Sequence, residues 1–181
     1  NRQSISNSDI ELIKKTLKKT IITRGDNLVK FEKAIKNYVS CKYTLGFNSA
    51  SSALTSACFG LNISKNDIVW TAPNSFVASA NCALHFGARI DFVDIDKDYK
   101  NIDIDYLEQK LTKAKKINKL PKLLISVHFG GQATYQEKIY RLSKKFGFKI
   151  LEDASHSLGA KRFNQFVGSS KWSDATVFSF H

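Results

Sequence analysis

From about residue 43 to residue 181, short apolar runs alternate with longer segments of helical periodicity, and this alternation restricts the possible folds more than any other feature. The apolar runs cover 43–47, 68–71, 90–93, 123–129, 148–151 and 175–180, and helices are predicted between them near 51–59, 76–86, 103–113 and 135–146. Each helical stretch is long enough to return the chain to the start of a parallel neighbouring strand. Repetition of that unit gives a mainly parallel sheet with helices on both faces, so the fold class is α/β with three α/β/α layers. No internal repeat or low-complexity tract interrupts the pattern. The polar, basic stretch 113–122, closed by Pro121, is the best linker candidate and is too short to separate two domains.

A lead-in precedes the alternation. Ser6 or Ser8 can cap a first helix running to about Lys19, Thr23-Arg24-Gly25-Asp26 breaks the pattern, and helical periodicity resumes over 28–39. The expected organisation is a helical lead-in over 1–40 followed by one α/β unit over 41–181. With 43% hydrophobic and 12% aromatic residues among 181, the chain has the apolar content for a sizeable core. It has no apolar run of the roughly 20 residues a membrane span needs, and its opening Asn1-Arg2-Gln3-Ser4 lacks the apolar stretch of a signal peptide. A cytoplasmic protein without membrane contact is the expectation.

Lysine and arginine outnumber aspartate and glutamate by 28 to 16, a net charge of +12. Such an excess admits nucleic acid or an anionic substrate as partner. The basic residues are spread along helices, as in Lys14, Lys15, Lys18 and Lys19 or Lys113, Lys115 and Lys116, which argues for a solvated face and against nucleic acid. Cys41, Cys58 and Cys82 form no CxxC pair and read as small core residues rather than zinc ligands or disulfides. His85 follows an apolar helical stretch and reads as structural, whereas His128, His156 and His181 fall at predicted strand ends.

Ligands of open parallel sheets bind beyond the carboxyl ends of the strands, so the residues after each strand are the ones to read for chemistry. After the first run, Gly46-Phe47-Asn48-Ser49-Ala50-Ser51-Ser52 opens a helix whose amides and dipole can face a phosphate, with Ser51 and Ser52 as hydroxyl donors. A serine-rich helix start serves equally as an ordinary cap. Thr71-Ala72-Pro73-Asn74-Ser75-Phe76 ends in an aromatic that can lie against a planar ligand or pack in the core. In Val127-His128-Phe129-Gly130-Gly131-Gln132 the glycines permit close backbone approach, and His128 is either a polar contributor or a satisfied buried histidine. Leu151-Glu152-Asp153-Ala154-Ser155-His156 puts acids at the tip of an apolar strand, where burying a carboxylate is costly without a partner. A cationic ring nitrogen would be such a partner, since an Asp beside a pyridinium keeps that nitrogen protonated. A helix cap by Asp153 is the other reading.

In order and spacing, these segments resemble the DegT/DnrJ/EryC1/StrS family of aminotransferases dependent on pyridoxal 5'-phosphate (PLP), which act on keto sugars attached to nucleotides. The resemblance runs from about Arg2 to His181. It implies the large domain of a fold-type I PLP-dependent transferase, truncated, with PLP as cofactor. It sets residues 48–54 on the family's phosphate-binding Ser-Gly-Thr-Ala-Ala-Leu element, with Ala50 at the glycine and Ser51 at the threonine. Phe76 falls where the family places an aromatic ring against the cofactor. Asp153 falls at the aspartate on the pyridine nitrogen, and His156 where many members have a glutamine near the ring hydroxyl. Ser179, within Phe178-Ser179-Phe180-His181, matches a serine on the cofactor phosphate.

In the family, the Ser-Phe-His element is succeeded within a few residues by the lysine that bonds the cofactor, and later by a small C-terminal domain. Neither Lys161 nor Lys171 matches that lysine, so a fragment without turnover is the expectation. Arg2-Gln3-Ser4-Ile5-Ser6, Phe47-Asn48-Ser49-Ala50, Glu152-Asp153-Ala154-Ser155-His156 and Phe178-Ser179-Phe180-His181 are most similar to members that aminate C4 of a UDP-linked 4-keto-6-deoxy sugar, with glutamate as donor, in pseudaminic acid synthesis. A homodimer is implied for the complete protein. The alternatives are a sugar dehydratase of the same family, in which histidine replaces the lysine, and a non-catalytic truncated homologue.

Overall fold

The computed structural model describes residues 3–181; Asn1 and Arg2, which begin the Arg2–Ser6 motif and the lead-in, lie outside the described residues. The chain opens with α1 (Asn7–Leu17), where Ser6 and Asp9 form a reciprocal capping box. Of the two predicted caps, Ser6 is the one used. Hydrogen bonds from Ser6 hold the Asp9 carboxyl below its ordinary range. No residue of α1 is buried, and Ile10, Ile13 and Leu17 stand exposed on it. Gly25 then caps α2 (Asp26–Val39), which contacts the rest of the chain through Val39, Tyr38 against Phe166 and Phe31 against Phe180.

The sheet has five parallel strands in the order β2 (Arg89–Phe92), β1 (Ile68–Thr71), β3 (Leu123–Val127), β4 (Lys149–Asp153) and β7 (Ala175–Val177). A two-stranded antiparallel ribbon, β5 (Lys161–Arg162) with β6 (Gln165–Phe166), lies in the connection from β4 to β7 and has no counterpart in the predicted elements. Strand alternation sorts the apolar residues onto two faces. Trp70, Leu124 and Ile150 point to a core closed by α5 (Ile104–Lys116) and α6 (Gln136–Phe146). Val69, Leu123, Ile125 and Leu151 point to a second core under α3 (Ala50–Gly60) and α4 (Ala78–Leu84). The layers are therefore α/β/α, as expected.

Helix chemistry matches the local sequence. Asp103 caps α5, whose Leu107, Leu111 and Ala114 recur at one-turn spacing and are buried, and Gly147, at φ +84°, supplies the left-handed residue that ends α6. One predicted strand is absent: residues 43–47 form no regular element and pair with no strand among the described residues. Tyr43 and Leu45 are exposed, and the Gly46 amide is taken by the Glu32 side chain rather than by a neighbouring backbone. An apolar run becomes a strand only when a ladder partner and a covering layer are supplied, and here neither is. Cys58 and Cys82 are buried free thiols with Sγ atoms 3.6 Å apart, while Cys41 is half-exposed and outside either core, contrary to its reading as a core residue. His85 ends α4 and is exposed. No helix among the described residues is long and apolar enough to cross a membrane.

Candidate functional site: a cleft at the carboxyl ends of the strands

From β1 the chain crosses to β2 on one side, and from β3 it crosses to β4 on the other, so the strand order reverses between β1 and β3. Diverging loops at such a switch point leave a crevice. A cleft of about 310 Å³ lies there, within the range of small-molecule sites. Its walls come from four segments: Ala50, Ser51 and Leu54 of α3; Asn74, Ser75, Phe76 and Ala78 after β1; Val127, His128 and Phe129 at the end of β3; and Asp153, Ser155 and His156 at the end of β4.

Ser49 caps α3 by accepting the Ser52 amide at 3.1 Å, and the Ala53 amide bonds to the Ser49 carbonyl. The amides of Ala50 and Ser51, both in the cleft lining, have no acceptor inside the helix and carry the positive end of its dipole. The Ser52 hydroxyl donates to Asn48 Oδ1 at 2.7 Å and belongs to the cap, so of the two predicted hydroxyl donors only Ser51 reaches the cleft. Ala50 stands where a glycine was expected and has an ordinary negative φ, a conformation alanine tolerates.

Phe76 resolves its two readings in favour of the cleft. The helix begins at Ala78 rather than at 76, which leaves the Phe76 ring in the preceding turn, 73% exposed at the cleft lip. Beside it, Asn74 donates to the Lys100 carbonyl, while its Oδ1 is buried without a partner among the described residues. The β3 loop is tied by Asn101, which accepts the Phe129 amide and donates to the Gln132 carbonyl. Gly131, at φ +86°, lets this loop meet the β4 loop: a Cβ there would lie 2.7 Å from the His156 carbonyl oxygen.

The acids at the tip of β4 part company because adjacent strand residues face opposite sides. Glu152 turns into a buried network, where Oε2 accepts His128 Nε2 at 2.8 Å and Oε1 accepts the hydroxyls of Ser173 and Thr176. His128 Nδ1 accepts the Thr134 amide at 3.0 Å, so the ring proton sits on Nε2 and the contact joins a neutral imidazole to a carboxylate. His128 is thus the satisfied buried histidine. Asp153 turns the other way, only 5% exposed, into the cleft, with Ser79 Oγ on Oδ2 at 2.5 Å and Ser155 Oγ on Oδ1 at 2.7 Å. The strand end is locked on both sides by His128 N–H to the Asp153 carbonyl and Ala154 N–H to the Val177 carbonyl.

The fold therefore brings Ala50, Ser51, Phe76, Asp153 and His156 around one cleft. Ser179, two residues past β7, stands outside the lining and accepts the His181 amide at 3.3 Å. Sequence reading missed Ser79, whose only signal was its spacing one helical turn from Ser75. Together the cleft offers a carboxylate acceptor, a helix N-terminus for an anion and an open aromatic face. A flat ring bearing a protonated nitrogen and a phosphate has the matching three features.

A sequence model of the DegT/DnrJ/EryC1/StrS aminotransferase family matches residues 3–181. The chain belongs to this family. Among DegT/DnrJ/EryC1/StrS relatives, it is 41% identical to the UDP-4-amino-4,6-dideoxy-N-acetyl-beta-L-altrosamine transaminase of Campylobacter jejuni, over 99% of this chain and 46% of that protein. Its structure is similar to that of Helicobacter pylori PseC, an aminotransferase involved in the biosynthesis of pseudoaminic acid. The TM-score is 0.85 at 34% identity, over 98% of this chain and 46% of that one. It is also similar to NtdA from Bacillus subtilis with bound cofactor PMP, with a TM-score of 0.79 at 27% identity over 95% of this chain and 38% of that one. The chain thus spans less than half the length of these family relatives.

Proposed function

We propose that this chain forms the PLP-binding part of a nucleotide-sugar aminotransferase. In this reading, the complete protein moves an amino group from glutamate to C4 of a UDP-linked 4-keto-6-deoxy sugar, in the synthesis of pseudaminic acid or a related surface glycan. The observation that carries the reading is Asp153, a buried carboxylate turned into a cleft that also holds a helix N-terminus. PLP, when bound, supplies an electron-accepting ring that lets an amino group pass between carbon skeletons. Asp153 would keep the proton on the ring nitrogen. The Ala50 and Ser51 amides with the Ser51 hydroxyl would hold the phosphate; Ser179, which stands outside the cleft lining, is a further phosphate ligand by family resemblance alone. Phe76 would offer its exposed ring to the cofactor, and His156, on the cleft wall, would serve the ring hydroxyl.

The Campylobacter and Helicobacter relatives support the sugar assignment. Residues 1–40 act as a lead-in to the PLP-binding unit 41–181, and the complete protein works as a cytoplasmic homodimer. No lysine of this chain is assigned the covalent role, so these 181 residues alone are expected to bind PLP reversibly without aminating a sugar. Titration of the chain with PLP, followed by absorbance and intrinsic fluorescence, tests the reading. Saturable binding is expected, and Asp153→Ala should weaken it roughly ten- to hundredfold, as for loss of a hydrogen bond between charged groups. Absence of binding by the wild-type chain would refute the reading.

A further inference from the structure

The placement of Asp153 raises the question of what aims it. A carboxylate offers about four acceptor positions, two on each oxygen. Oδ1 receives the Ser155 hydroxyl at 2.7 Å and the Ser155 amide at 3.3 Å, whereas Oδ2 receives Ser79 Oγ alone, at 2.5 Å. The open position is therefore on Oδ2, the oxygen that Ser79 holds.

Ser79 is itself oriented. It is 1% exposed in the first turn of α4, and its hydroxyl also contacts Ser75 Oγ at 2.8 Å. Since the carboxylate can only accept, the chain of hydrogen bonds runs in one direction, from Ser75 to Ser79 to Asp153. The Ser79 side chain is outside the cleft lining and reaches a ligand only through Asp153. Helix α4 holds the hydroxyl firmly, because Cys82 and Ala83, one turn further on, are buried against α3 and the sheet.

We propose that Ser79 is a positioning residue that aims the open acceptor position of Asp153 Oδ2 at a protonated ring nitrogen in the cleft. The proposal rests on the PLP reading above. Without the Ser79 hydroxyl, only Ser155 restrains the carboxylate, and it does so through the other oxygen.

Binding of PLP and of 1-deaza-PLP, in which a C–H replaces the ring nitrogen, to the wild-type chain, Ser79→Ala and Ser79→Thr tests this. Wild type is expected to prefer PLP. Ser79→Ala should weaken PLP binding by roughly five- to tenfold while changing affinity for the analogue less than about twofold, and Ser79→Thr should restore the preference. Equal loss for both ligands, no loss for either, or failure of Ser79→Thr to recover the preference would overturn the positioning role. Circular dichroism checks each variant for folding; if Ser79→Ala does not fold, Ser79→Cys, a weaker donor of nearly the same size, is judged by the same comparison. A wild type that binds neither ligand refutes the PLP reading and the proposal with it. One that binds both equally refutes the proposal alone.

Discussion

Replacing Glu152 by alanine removes the acceptor of three buried or half-buried donors at once: His128 Nε2–H and the hydroxyls of Ser173 and Thr176. The imidazole has no escape, because its Nδ1 already accepts the Thr134 amide and its proton cannot move there. An orphaned donor on a buried ring costs about 1–3 kcal/mol. The two hydroxyls, 3.4 Å apart, can partly satisfy each other, so each loses nearer 0.5–1.5 kcal/mol, as a net hydrogen bond does. The sum is about 2–6 kcal/mol. Glu152→Gln is far milder: the amide oxygen takes the His128 proton, the amide nitrogen donates to hydroxyls that can rotate, and mainly the charge assistance is lost, about 1 kcal/mol. For a chain of this size each kcal/mol lowers Tm by roughly 2–4 °C. Thermal and urea unfolding followed by circular dichroism should therefore place Ala roughly 4–24 °C below wild type and Gln about 2–4 °C below. Both should bind PLP far more like wild type than Asp153→Ala does, since Glu152 faces away from the cleft. An alanine variant within about 1 kcal/mol of wild type, or a glutamine variant as unstable as alanine, would refute the reasoning.

Other outcomes hinge on single residues. Gly131→Ala forces a side chain onto a backbone at φ +86° and a Cβ against the His156 carbonyl; it should lower the urea midpoint by the equivalent of about 2 kcal/mol or more and weaken PLP binding as the two loops separate. Leu151→Ala, in the fully buried second core, should cost about 2–5 kcal/mol, read from the same unfolding curves, with unchanged secondary structure. Burial raises the Glu137 carboxyl, but the two hydrogen bonds and the charge of Arg162 outweigh it, so its pKa lies below the ordinary 4.5. That pair's contribution is therefore fully present above pH 4.5 and is lost as pH falls through the depressed folded value; Arg162→Gln should flatten the stability-against-pH curve in that acidic window, and an unchanged slope would refute the assignment.

Much of the architecture was legible because its cause is local. The continuous apolar runs at 123–127 and 148–151, set between helices of one-turn periodicity, need no distant information to be recognised, and they yielded the parallel sheet and both helical layers. The carboxyl-end rule then pointed to the segments around Ser51, Phe76, His128 and Asp153, all of which the fold gathers around one cleft. Residues 43–47 failed as a strand because their apolar content said nothing about whether a partner would be present. The β5–β6 ribbon escaped because two-residue strands carry no period at all.

Sequence by itself determined the alternation of elements, a serine cap before α1 and the candidate residues at the strand ends, since each depends on neighbours within a turn or two of the chain. Only the tertiary structure decided how Glu152 and Asp153 divide their work. Adjacent in the chain, they differ because the two sides of β4 meet different surroundings: on one, His128 with the Ser173 and Thr176 hydroxyls; on the other, the cleft and a serine 74 residues away in sequence. A carboxylate's role depends on the donors and the space around it, and those are assembled only when distant segments meet.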